Sequence, residues 1–373
     1  MKLEGIKVLD LSLFLPGPML SVMMADHGAD VIKLEPAGEG EPTRHIGYEK
    51  NGTSVWFRNT HRGKRSIQLD LKSPDGLATF WALAKEADVL LEAFRPGVVD
   101  RLGVGYEAVK AVNPGIVYCA ISAFGQTGPY RNRPAHDLAV EALAGVVALN
   151  EGQDGKPTSP HMPVADALAS LTALSGVLMA LLRREKTGQG DYIDVAMLDS
   201  TLAWTPNVTG KIFATGEAHT PKHERSWGGS AMFNLYECSD GRWVALGGSE
   251  LKFAKNLLEA WGRLDLLDYA RLQPGPGQEP LRVLFREKFR QAPQAYWVAW
   301  FADKDICFAP VRTLKEAFDD PALIERGMLA HDATGNEIVG TPILFQEEPA
   351  IISSTLPLLD EHRAQIELTG WRR

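Results

Sequence analysis

Cysteine is scarce in this chain, and what there is builds no framework. Cys119, Cys238 and Cys307 are odd in number and widely separated over 373 residues, which fits neither a disulfide scaffold nor a metal-ligand spacing. A reducing, cytoplasmic setting is expected, with each cysteine a small hydrophobe within its apolar run and not a nucleophile. Positive charge is also in short supply. Lys and Arg number 39 against 47 Asp and Glu, a net charge of −8, so a general nucleic-acid or anionic-membrane surface is excluded and any polyanionic ligand must meet a local group of cations. Long uncharged runs are missing too: 167–182 is too short and too rich in Ser, Thr and Ala for a membrane span. The opening Met1-Lys2-Leu3-Glu4 breaks into charge at once, unlike a signal peptide. There is no GxxxxGK[ST] loop, no GxGxxG after a strand, no GxSxG elbow and no HExxH, so a nucleotide-like ligand would need another mode of binding.

What is present is a βαβ rhythm. Strand patterns at 5–11, 30–35, 65–71, 88–94 and 116–124 alternate with helical patterns at 18–27, 74–87 and 106–112, the order expected of a parallel sheet in an α/β fold. Residues 36–64, rich in Gly, Glu and Arg, read as a long surface loop. Helices are expected over 137–149 and after Asp166, then a strand at 191–197. From about 220 the pattern shifts to Gly/Ser loops, a strand near 242–248 and helices near 251–262, 282–291 and 293–302. The expected organisation is a large α/β domain over 1–200, a small α+β domain over 220–305, and a segment 306–373 returning to the large domain.

Asp166 stands out. It precedes a run with apolar residues at 168, 171, 174, 178 and 181 and no further charge until Arg183, which is helical spacing with small residues filling the other faces. Pro163 sets the start, so Asp166 is expected at about the N-cap, where it either satisfies free backbone N–H groups or serves as a reactive carboxylate beside N–H groups that stabilise an oxyanion. His136 lies thirty positions upstream, as a partner or as a structural histidine after Arg133-Pro134. The segment 58–72 carries five Lys and Arg against one Asp; it is either a solvated charged surface or a phosphate-binding stretch.

Phe94-Arg-Pro-Gly-Val98, Gly103-Val-Gly-Tyr106, Ser122-Ala-Phe-Gly-Gln-Thr-Gly-Pro-Tyr130, His136-Asp-Leu, Asp166 and Lys186-Thr-Gly-Gln-Gly-Asp191 follow one another in order. Together with Leu3-Glu-Gly-Ile-Lys-Val-Leu-Asp10 and the basic Gly63-Lys-Arg-Ser66, they resemble the family III CoA-transferase and α-methylacyl-CoA racemase superfamily of CaiB/BaiF type. The resemblance implies a Rossmann-like large domain and an interlocked homodimer acting on a coenzyme A thioester, with no permanently bound cofactor, no metal, and neither nucleic acid nor membrane as partner. On matching positions it implies Lys33, Leu71, Lys72 and Arg95 along the CoA, Asp137 supporting the thioester end, and Asp166 as the catalytic carboxylate. The basic segment would then meet CoA phosphates.

Two chemistries are open to that carboxylate. In CoA transfer between carboxylic acids, Asp166 attacks the thioester as a nucleophile and gives an aspartyl-acyl anhydride. In racemisation, Asp166 and His136 exchange a proton at the α-carbon from opposite faces, and Glu250 matches a racemase acid. His136 and the chain length favour the second; Ala167-Leu-Ala-Ser170 in place of glycines, Trp227-Gly-Gly229 and the 36–64 segment favour the first, which is preferred. A non-catalytic acyl-CoA binder is a third reading. Arg44 and Arg225 are candidates to clamp a dicarboxylate.

Overall fold

Strands that are apolar on both faces must be covered on both, and this dictates the architecture. In the computed structural model, which describes residues 1–152 and 154–372, β5 (Val117–Ser122) is buried along its whole length. It sits in a six-stranded, wholly parallel sheet with β1 (Lys7–Asp10), β2 (Asp30–Glu35), β3 (Arg65–Gln68), β4 (Val89–Glu92) and β6 (Asp191–Ala196), in the order β3-β2-β1-β4-β5-β6. The α/β class and parallel sheet expected from the sequence are therefore present. Val8 of β1 pairs with Val31 on one side and Val89 on the other. The chain thus builds outward from β1 in one direction, then returns to build outward from β4, and a crevice opens beyond the strand ends where the order reverses.

Two packed layers cover the sheet. On one face α1 (Pro16–Asp26) and α6 (Val164–Thr187) pack Leu20, Met24, Ala165, Ala169, Ala173 and Val177 against Val8, Val31, Val89 and Val117. The alanines recur every fourth residue with no exposure, so the α6 backbone approaches closely, and each large side chain it covers contributes about 1.5–3 kcal/mol. On the other face α3 (Pro74–Ala84) and α4 (Tyr106–Val112) close over Leu9, Ile32, Leu90 and Tyr118. The segment beyond 335, illegible in the sequence, adds Ile366 and Trp371 to this core, with the Trp371 indole N–H donating to the Leu83 carbonyl at 3.0 Å. Pro at the first turn and a Ser73 hydroxyl accepting from the Gly76 N–H start α3. Gly188, at φ 69°, ends α6, and a Cβ on Gly190 would lie 1.8 Å from the Ile116 carbonyl oxygen. Those two contacts explain the glycines of Lys186-Thr-Gly-Gln-Gly-Asp191.

Two local expectations are corrected. Residues 36–64 are only in part a surface loop: 36–39 and 45–52 are exposed, but α2 (Val55–His61) forms within the segment, capped by the Ser54 hydroxyl, and Phe57, Arg58, Thr60 and His61 are buried. The α6 helix begins at Val164, so Asp166 is its third residue and not its N-cap, and it runs on through Thr187. At 24 residues it is long and apolar enough to cross a membrane, yet its alanine face belongs to the core just described. Of the cysteines, Cys119 and Cys238 are buried, while Cys307 is exposed.

The chain divides into two units, the first comprising 1–144, 161–204 and the C-terminal part from 318, the second 145–160 and 205–317. In the second unit β7 (Phe233–Glu237), β8 (Trp243–Gly247) and β9 (Phe308–Pro310) make an antiparallel sheet. Helices α7 (Leu251–Ala260), α8 (Glu279–Phe289) and α9 (Gln294–Phe301) bury Leu257, Phe285, Phe289, Trp297 and Phe301 with Tyr236.

Candidate active site

The crevice at the strand-order reversal holds a cavity of about 470 Å³ within the first unit. Its walls come from the turn after β1 (Leu13, Phe14), the turn after β4 (Phe94, Arg95), the end of β5 (Ser122) and the loop Arg131–His136, with Asp166 entering from α6. Two of the ordered motifs noted in the sequence, 94–98 and 122–130, meet here because each follows a strand of the parallel sheet, and parallel strands present their C-terminal ends on one side. The motif at 103–106 follows the short helix Val98–Arg101 and that at 186–191 leads into β6, and neither lines the cavity.

Asp166 sits over a ready-made acidic support. The α5 helix (Asp137–Leu143) places Asp137 and Glu141 one turn apart. The Asp166 N–H donates to Asp137 Oδ1 at 3.1 Å and the Val164 N–H to Glu141 Oε1 at 3.0 Å. These two carboxylates cap α6 from another helix, in place of the N-cap side chain that Pro163 cannot supply. The expectation that the helix-mouth N–H groups serve an oxyanion is thereby corrected for those two donors. One turn on, the Ser170 hydroxyl donates to the Pro16 carbonyl at 2.8 Å and ties α6 to the start of α1. The Asp166 carboxylate has no hydrogen-bond donor among the described residues. Burial, with added repulsion from Asp137 and Glu141, pushes its pKa up to about 7. Burial raises Glu141 as well, followed by its contact with Asp137. The result is a half-buried, weakly solvated carboxylate that ionises near neutrality, the state a carboxylate nucleophile or base requires.

His136 lines the same cavity as Asp166. It precedes α5 without capping it, and its ring stands edge-on to Phe14 with centroids 6.1 Å apart. Arg95 is exposed in the cavity wall. Leu71 and Lys72 follow the sheet-edge strand β3, Leu71 half-buried against the core and Lys72 exposed with its N–H on Asp70. Lys33 is enclosed: it is wholly buried and faces Asp10 at 3.8 Å, Glu41 at 3.4 Å and the Ser12 carbonyl. Its ammonium is committed to its own chain. Glu250 belongs to the second unit, where it stands exposed before α7.

The basic segment is likewise internal. Arg58, Arg62, Lys64 and Arg65 are each at most 5 % exposed, and they face Asp332 at 3.0 Å, Asp26 at 2.6 Å, Asp10 at 3.1 Å and Asp30 at 2.6 Å. The expected phosphate contacts of this stretch give way to buried ion pairs. Arg44, a candidate clamp, is bound to Glu35 at 2.7 Å and stacks on Phe57 at 3.9 Å; Arg225 lies in the second unit over Phe233. Sequence reasoning missed Arg131 and Arg133, which line the cavity and have no carboxylate partner among the described residues. Glu141 was missed too, although its spacing of four from Asp137 in a helix was a usable signal.

A half-buried carboxylate, a histidine and arginines without a carboxylate partner among the described residues share a cavity at the switch point of a Rossmann-like sheet, a charge pattern suited to an anionic ligand. The chain belongs to CoA-transferase family III, whose model matches residues 3–363. It is 31 % identical to succinyl-CoA–D-citramalate CoA-transferase of Chloroflexus aurantiacus, over 98 % of this chain and 92 % of that one. It is 33 % identical to acetyl-CoA:oxalate CoA-transferase of Acetobacter aceti, over 91 % and 88 %. A crystal structure of a CaiB/BaiF family protein from Brucella suis superposes with a TM-score of 0.86 at 30 % identity, covering 98 % of each chain.

Proposed function

We propose that CoA transfer on this chain runs through covalent intermediates on Asp166. The supporting observation is the carboxylate itself: it lines the cavity, has no hydrogen-bond donor among the described residues, and is raised to about 7 by burial beside Asp137 and Glu141. An Asp166 oxygen attacks the thioester carbonyl; the C–O bond forms, the C–S bond breaks, and CoA leaves as thiolate from an aspartyl-acyl anhydride. The thiolate then attacks the Asp166 carbonyl, releases the donor acid and leaves an aspartyl-CoA thioester. The acceptor carboxylate reverses both steps. Desolvation makes the carboxylate a stronger nucleophile than in water, and His136 serves as hydrogen-bond donor to the developing oxyanion, a role the capped N–H groups cannot fill.

The CoA lies along Leu71, Lys72 and Arg95, and the acids exchanged are small dicarboxylates, as the names of the relatives suggest. Unpaired Arg131 and Arg133 in the cavity supply complementary charge. A homodimer is part of the proposal, supported by the exposed Leu171, Leu178, Met179 and Leu182 on the outer face of α6; so is a cytoplasmic setting, supported by three free thiols. Racemisation remains a second reading, because His136 and Asp166 share one cavity. Incubation with a set of acyl-CoAs and acids in heavy water separates the two. Exchange of CoA between acids without α-deuterium is expected; α-deuterium without exchange of CoA would refute transfer.

A further inference from the structure

The turn between β1 and α1 is held by buried charges that the transfer chemistry does not use. Phe14 has a positive φ of 64°, in the left-handed region that a residue with a Cβ rarely adopts. Such a conformation persists only where its surroundings over-determine it. Here the Phe14 N–H donates to Glu41 Oε1 at 2.9 Å, and Glu41 is wholly buried. The other Glu41 oxygen lies 3.4 Å from the Lys33 ammonium, which also donates to the Ser12 carbonyl and lies 3.8 Å from Asp10. Asp10 accepts the Ser12 N–H at 2.9 Å and faces Lys64 at 3.1 Å. Glu41 is itself fixed, since its N–H donates to Glu35 Oε2 at 2.8 Å. The backbone is therefore gripped on both sides of Leu13. At the far end of this chain of contacts the Phe14 ring lines the cavity and stands edge-on to His136.

We propose that Phe14 sets the width of acyl group the cavity accepts, and that Glu41 is the positioning residue that holds its ring there. The inference rests on Asp166 chemistry only for its turnover arm. Lys33 belongs to this device: it neutralises Glu41 and Asp10 so that both can sit buried beneath the site.

The test compares straight-chain and α-branched acyl-CoAs across Phe14→Gly, Glu41→Ala and Glu41→Gln. Glycine adopts the same φ without strain, so Phe14→Gly removes the ring alone, and its branched-to-straight ratio of kcat/KM is expected to rise by about 10-fold or more. Glu41→Ala frees the turn and shifts the ratio in the same direction. Glu41→Gln, whose amide oxygen still accepts the Phe14 N–H, keeps the wild-type ratio. Adding Glu41→Ala to Phe14→Gly brings no further shift, since both act through one ring. An unchanged ratio in Phe14→Gly, or an equal loss for all thioesters in Glu41→Ala with no rescue by Gln, overturns the proposal. Calorimetric binding of straight and branched acyl-CoA thioether analogues to the wild type and Phe14→Gly gives the same comparison without turnover. A ratio that shifts in binding while no acid exchange occurs would sink the Asp166 route and leave this inference standing.

Discussion

Between residues 58 and 65 the chain keeps Arg58, Arg62, Lys64 and Arg65 inside its fold, each against an aspartate, whereas Arg95, Arg131 and Arg133 line a cavity with no aspartate or glutamate paired to them among the described residues. The residues are chemically alike, and the difference lies in what surrounds them. A buried guanidinium must be paired where it sits, because desolvating it alone is prohibitive; an exposed one at a cavity wall keeps its water until an anion replaces it. The first group fixes the strand ends and the β1–α1 turn on which the site is built. The second is the group to which the proposed function gives the anionic ligand.

Asp166 gives the largest effect, and it cuts across both groups. Asp166→Asn is expected to lower turnover by about 10³-fold or more while stabilising the fold at pH 8 by about 1–3 kcal/mol. A carboxyl raised to about 7 in the fold binds more protons there than in the unfolded chain between roughly pH 4 and 7, so its contribution to stability falls across that window. Urea unfolding of both proteins should show the gap at pH 8 and its closure near pH 4. Arg62→Ala strands the buried Asp26 carboxylate and should cost about 3–5 kcal/mol in the same measurement, with CoA affinity of the folded fraction unchanged. Arg133→Gln should do the reverse: stability within about 0.5 kcal/mol, and KM for the acyl-CoA or the acid raised about 10-fold or more. If Arg62→Ala weakened CoA binding selectively, the division between the two groups would collapse.

Two smaller effects sharpen it. Exposed arginines are screened by salt and buried pairs much less, so acyl-CoA binding should weaken from 50 to 300 mM salt while the thermal midpoint moves little. The kcat/KM of the wild type should rise with pH through a midpoint near 7, following ionisation of Asp166.

The strands of the parallel sheet were legible because each is a short apolar run between turn residues, and the motifs at 94–98 and 122–130 were legible because each follows a strand. The 58–65 stretch was not: its Arg and Lys residues look solvated in sequence, and the aspartates that pair with them are the distant Asp10, Asp26, Asp30 and Asp332. Asp166 was singled out in the sequence, but its place in the helix was misjudged. Its capping groups are Asp137 and Glu141, twenty-odd residues away on another helix, and a local rule for N-caps cannot see them. The positive φ of Phe14 left no mark in the sequence, since nothing in Leu13-Phe14-Leu15 distinguishes it from an ordinary strand end.

The most direct test of Asp166 as nucleophile is to run many turnovers with an acceptor acid whose carboxylate carries oxygen-18, then digest the protein and weigh the peptide containing Asp166. Attack of the acceptor on an aspartyl-CoA thioester, followed by return of thiolate to the acceptor's acyl carbon, leaves the bridging oxygen on the enzyme. Oxygen-18 in the Asp166 carboxylate is the expected result; an unlabelled Asp166 after complete exchange of CoA would contradict the covalent route.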